Sequence, residues 1–139
     1  MASCKDDCEA LMSTVLPVAE RMLTEHRELQ PFGSTMSRDG AIVQVGGWRA
    51  AAHASDETLL AEFETSFRDG AARGELNATA RLSAGAAKDS VLVRLDHREA
   101  YSIVVTFPFH FTDAGELVID EPFAGEGAYE IFGRLSSAV

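Results

Sequence analysis

The stretch Val91-Leu92-Val93-Arg94-Leu95-Asp96-His97-Arg98-Glu99-Ala100-Tyr101-Ser102-Ile103-Val104-Val105-Thr106-Phe107 reads as two strands joined by a short turn at 97–100. Side chains alternate with a period of two along a strand. Val91, Val93 and Leu95 therefore share one face of the first strand, and Leu92, Arg94 and Asp96 the other. In the second strand Tyr101, Ile103, Val105 and Phe107 oppose Ser102, Val104 and Thr106. No other part of the chain is as apolar, so the pair belongs at the centre of a sheet. Each strand carries apolar residues on both faces, as a covered or self-associating sheet would.

Working outward, Leu76, Ala78, Ala80 and Leu82 alternate with Asn77, Thr79, Arg81 and Ser83, which predicts a third strand before a loop at 85–89. After the pair, Pro108 is expected to end the strand or mark a bulge. Asp113-Ala114-Gly115 is a turn and Leu117-Val118-Ile119 a short strand. The tail 122–139 carries Phe123, Tyr129, Ile131, Phe132 and Leu135, and is expected to pack as a loop with a short helix or strand.

The N-terminal half supplies the helices. Leu11, Met12, Val15, Leu16, Ala19, Met22 and Leu23 recur at three and four residues, predicting a helix over about 6–28 that Ser3 or Asp6 can cap. Pro17 should kink that helix or begin a second one. Gln30-Pro31-Phe32-Gly33 stops it. Arg38-Asp39-Gly40 between two short β-type runs is a hairpin signal. Ser55 caps a second helix whose buried stripe is Leu59, Leu60, Phe63 and Phe67 and whose stop is Gly74. The fold class that follows is α+β, a single domain over 1–139. It has an antiparallel sheet of about five to six strands with two main amphipathic helices packed on one face.

The chain has 139 residues, enough for one core. No apolar run reaches the ~18–20 residues that span a bilayer, and the start lacks the features of a secretory signal. A soluble, cytoplasmic protein is the expectation. Twelve Lys and Arg against 22 Asp and Glu give a net charge of −10, which argues against nucleic acid and anionic membrane as partners. The acidity is concentrated after residue 112, where six acids face one arginine. Asp113, Glu116, Asp120, Glu121 and Glu126 are candidates for a surface that meets a basic protein partner. Cys4 and Cys8 are the only cysteines. Their spacing offers two ligands where structural zinc takes four, so neither a metal site nor a cofactor is expected.

The run 16–23, Leu-Pro-Val-Ala-Glu-Arg-Met-Leu, precedes the Gln30-Pro31-Phe32-Gly33 stop and the Asp39-Gly40 turn. With Leu95-Asp96-His97-Arg98 and Tyr101-Ser102-Ile103-Val104-Val105, these segments resemble a family of small bacterial proteins with no assigned activity. The resemblance covers roughly residues 11–110. It implies a bacterial cytoplasmic origin and an α+β domain, and it adds nothing on mechanism.

His26, His53, His97 and His110 are the acid–base candidates. Asp96 next to His97 does not orient it, because strand neighbours point to opposite faces. His110 lies among aromatics and is expected in a packed aromatic edge. No nucleophile elbow, phosphate loop or calcium loop is present, so the reading leans away from an enzyme. Trp48 and Arg49 after two glycines have the composition of an interface anchor, and with His53 they form the candidate binding loop. The leading expectation is a non-enzymatic binding or regulatory domain that forms a homodimer. The alternatives are an acidic, immunity-type inhibitor of a basic protein, and a small-molecule pocket or weak enzyme near the 46–55 loop.

Overall fold

The computed structural model describes residues 3–46, 55–85 and 89–133. The elements follow in the order α1 (Cys4–His26), β1 (Phe32–Ser37), β2 (Ile42–Gly46), α2 (Asp56–Ala72), β3 (Leu76–Ala84), β4 (Ser90–His97), β5 (Tyr101–Phe111), β6 (Leu117–Ile119) and β7 (Phe123–Glu126). The strands form one antiparallel sheet in the order β2-β1-β3-β4-β5. The outer edge of β5 is shared, with β7 along 103–106 and β6 along 109–111. The fold is α+β, as the alternating strands and amphipathic helices predict.

Local chemistry sets the helix ends. Ser3 and Asp6 form a reciprocal capping box, each side chain accepting the other's backbone N–H. The α1 helix runs unbroken through Pro17. Pro17 stands exposed, where water can reach the carbonyl that its missing N–H leaves free. At the other end Arg27 adopts a left-handed conformation (φ 57°). Its guanidinium donates to the Gly115 carbonyl at 3.0 Å and lies 3.9 Å from the centre of the Phe111 ring. That contact ties α1 to the β5–β6 turn. Ser55 caps α2 by accepting the Thr58 N–H at 3.1 Å.

The helices do not share one face of the sheet, contrary to expectation. Leu11, Val15, Ala19 and Met22 of α1 pack with Phe32, Leu82, Val93 and Phe107 in one buried cluster. Leu59, Phe63 and Phe67 of α2 form a second cluster with Ile131. Alternation explains the split. Phe32 and Leu82 turn to α1, while their neighbours Gly33 and Arg81 turn to α2. A Cβ at Gly33 would stand 2.8 Å from the Phe67 ring and 2.9 Å from the Ala80 carbonyl, so the missing side chain is what lets α2 approach.

One further expectation is corrected. Strand β5 continues past Pro108 to Phe111. Pro108 faces Ser90, the first residue of β4, and lies between the β7-paired and β6-paired stretches of β5. The missing donor is therefore tolerated where the ladder changes partner. The tail contributes β7 and then a strap, 127–131, that lies across the α2 side of the sheet.

Candidate functional site

On the α2 side of the sheet, β3 presents Thr79, Arg81 and Ser83, β4 presents Leu92, Arg94 and Asp96, and β5 presents Ser102, Val104 and Thr106. Register brings them together: Arg81 faces Arg94, Asp96 faces Ser102, and Leu92 faces Thr106. The result is a polar surface inside a fold whose other face is almost wholly apolar.

Arg81 is its buried centre, with its side chain 6% exposed. The guanidinium meets Glu64 of α2 at 3.4 Å, Asp96 of β4 at 3.2 Å and Glu130 of the strap at 3.1 Å. Ser102 donates to the second Asp96 oxygen at 2.8 Å and accepts the Tyr129 N–H at 3.2 Å. The Gly127 N–H donates to the Ser102 carbonyl at 3.0 Å, and a methyl group at Gly127 would collide with the Ser102 hydroxyl. Burial pushes the Asp96 carboxyl above its ordinary value, opposed by the Ser102 hydrogen bond and by Arg81. Among the described residues, Arg81 Nε and Thr79 Oγ1 are buried polar atoms without a partner.

Arg94 differs from its cross-strand neighbour. It is half-buried and makes no hydrogen bond or ion pair among the described residues. It borders two spaces. One is a cavity of about 220 Å³ shared with Asp96, Ser102, Glu126 and Glu130. The other is a groove of about 620 Å³ walled by Leu60, Leu92, Pro108 and Phe123, with Ser83 and Ser90 at its floor. Phe123 is 62% exposed.

His97 turns to the α1 side, as alternation requires, with its ring 1% exposed. Nε2 lies 2.8 Å from the Asp7 carboxylate, and Nδ1 accepts the Glu99 N–H at 3.1 Å. Those two contacts place the proton of the neutral ring on Nε2. Beside it, burial pushes the Cys8 thiol up to about 12, with Cys4, Asp96 and Asp7 adding to the effect. Cys8 also borders an apolar groove of about 420 Å³ with Met12, Leu95, Tyr101, Ile103 and Val105. His110 is not in an aromatic edge. It is exposed, and its Nδ1 lies 3.1 Å from Asp120, because alternation turns Phe109 inward and His110 outward.

Trp48, Arg49 and His53 lie outside the described residues. Asp113, Glu116, Asp120, Glu121 and Glu126 are all exposed, although Asp120 is paired with His110 and Glu126 accepts from the Tyr129 hydroxyl at 2.9 Å. The sixth acid, Glu130, turns inward to Arg81. Arg81, Arg94, Asp96 and Ser102 were not among the sequence candidates. For Arg81, Arg94 and Asp96 the signal was present as charges on otherwise apolar central strands, whereas Ser102 carried none. Among the described residues, no group of three or more His, Cys, Asp and Glu is placed to hold a metal ion, and no helix is long and apolar enough to cross a membrane.

Comparison with protein-family models, with curated proteins and with solved structures finds no match to this chain.

Proposed function

We propose that the chain is a non-enzymatic binding domain whose ligand is an anion, held by Arg94 on the α2 side of the sheet. The observation that carries this reading is the contrast between two facing arginines in a protein of net charge −10. Arg81 is met by three carboxylates, and Arg94 by none among the described residues. A half-buried guanidinium without an ion pair has lost hydration that no direct contact among the described residues replaces. An incoming anion supplies that counter-ion, and the planar fork of Arg suits a carboxylate in particular. The chemically capable groups nearby are already engaged. Ser102 both donates and accepts, His97 has both ring nitrogens in use, and the Cys8 thiol is held protonated by burial. That supports binding over catalysis.

The test is a titration of the isotopically labelled chain with sodium benzoate at low ionic strength, followed by amide chemical shifts. Saturable shifts centred on β4 and on 127–131, weakened by added salt and abolished in Arg94→Gln, are expected. Shifts that are scattered or persist in Arg94→Gln would overturn the reading.

Self-association is a second reading, favoured by the apolar groove beside α1, where Tyr101 and Ile103 stay half-buried rather than covered. Sedimentation velocity decides it: a monomer at high micromolar concentration removes it.

A further inference from the structure

Resting on the anion-binding reading above, we infer that the ligand is an amphipathic monocarboxylate. Its head meets Arg94, and its linear apolar tail lies along β4 in the groove between α2 and β7. Three observations set the ligand's shape. First, Ser90, Leu92 and Arg94 line the same groove from the same face of one strand. At about 3.3 Å per residue the groove extends roughly 13 Å from the guanidinium. Second, beyond Arg94 the lining is mostly apolar: Leu92, Leu60 from α2, and Pro108 and Phe123 from β5 and β7, with Ser83, Ser90 and Thr106 among them. The volume of about 620 Å³ falls in the range of small-molecule pockets, about 300–1,000 Å³. Third, among the described residues that line the groove the charged ones stand apart: Arg94 is at one end, and Asp89 is at the other beside Ser90. A tail that ended in a second carboxylate would meet Asp89, so an apolar terminus is selected over a charged one.

Phe123 completes the argument from the protein's side. A large aromatic 62% exposed, on an edge strand, loses water contact when a tail lies against it. Its place opposite Thr106 in the register of β5 and β7 sets the ring on the groove side of the sheet. The head-group site and the tail wall thus come from different strands, β4 and β7, brought together by β5 between them.

The experiment is calorimetric titration of the full chain with four probes: octanoate, acetate, octanol and octanedioate. The expected result is saturable one-to-one binding of octanoate, with acetate, octanol and octanedioate each weaker by about tenfold or more. Arg94→Gln should lower octanoate to the level of octanol. Phe123→Ser, at an exposed position that the fold tolerates, should weaken octanoate and leave acetate unchanged. If acetate binds as tightly as octanoate and both are lost in Arg94→Gln, the anion reading stands and the tail assignment falls. Octanedioate binding as tightly as octanoate removes the role given to Asp89 and with it the monocarboxylate assignment. If octanol equals octanoate, if Arg94→Gln binds like the parent, or if no probe binds, both readings fall.

Discussion

Arg81 and Arg94 stand directly opposite each other on β3 and β4, two like charges on one face of the sheet. Like charges at such positions are destabilising by a few tenths to about 1 kcal/mol. The three carboxylates around Arg81 neutralise one of them, and the other has no ion pair among the described residues. With Arg81 already neutralised, Arg94→Gln should change the stability of the ligand-free protein by less than about 0.5 kcal/mol while abolishing anion binding. Urea unfolding of parent and variant measures the first effect. A variant destabilised beyond that would mean that Arg94 serves the fold.

The buried cluster makes a different prediction for Arg81. Replacing it with Met leaves Asp96 buried without its cation, at a cost of about 3–5 kcal/mol. Adding Asp96→Asn to that variant removes the stranded charge and keeps an acceptor for Ser102, so the double variant should recover part of the loss. Equilibrium denaturation of the two proteins, compared in one buffer, tests this. A double variant less stable than Arg81→Met would show that the carboxylate is not the source of the cost.

The pH dependence follows from Asp96. Burial holds its carboxyl above the ordinary 3.8, so the folded chain keeps a proton that the unfolded chain has already released. Where the folded state binds more protons, stability falls as pH rises. This group therefore favours folding most below 3.8 and progressively less as pH rises through its folded value. Asp96→Asn carries no such titration. The melting temperature of the variant relative to the parent should increase between about pH 4 and about pH 7. A difference that shrinks over that range would mean that Arg81 outweighs burial.

Glycines separate close approach from open surface. Gly33→Ala forces a methyl between the Phe67 ring and the Ala80 carbonyl and should destabilise by about 1–3 kcal/mol. Gly125→Ala, with no atom within 4 Å of its Cβ, should change stability by less than about 0.5 kcal/mol. Thermal unfolding monitored by circular dichroism distinguishes them.

The two thiols should also differ. Cys8 is buried, with its thiol near 12, and Cys4 is half-buried. Iodoacetamide near neutral pH should label Cys4 in the folded chain and both cysteines in denaturant, since the thiolate is the reactive form. Mass spectrometry of the products reads the outcome, and rapid folded-state labelling of Cys8 would contradict its burial.

Much of the architecture was legible because it is periodic. The stripes of α1 and α2, the Ser3 and Ser55 caps, the Asp39-Gly40 hairpin and the β4–β5 pair all rest on spacings of two, three or four residues. The side of the sheet that α2 covers was not legible, since an amphipathic stripe does not say which face it meets. Gly33 and Arg81 held that information, one by making room and the other by needing carboxylates. The site was less visible still. Alternation puts Arg94 and Asp96 on one face, but nothing local says that Arg81 faces Arg94, or that Glu130 reaches back 49 positions to Arg81. Likewise Asp7 and His97 are 90 residues apart. Such pairings are products of register and packing, which local patterns do not encode.

The strap at 127–131 has a consequence for the order of events during synthesis. Tyr129, Glu130 and Ile131 leave the ribosome after every group they cover. Until they emerge, Arg81 lacks the Glu130 carboxylate and Phe67 lacks Ile131, so the charged centre cannot be completed before this part of the chain is made. Segments translated late seal it.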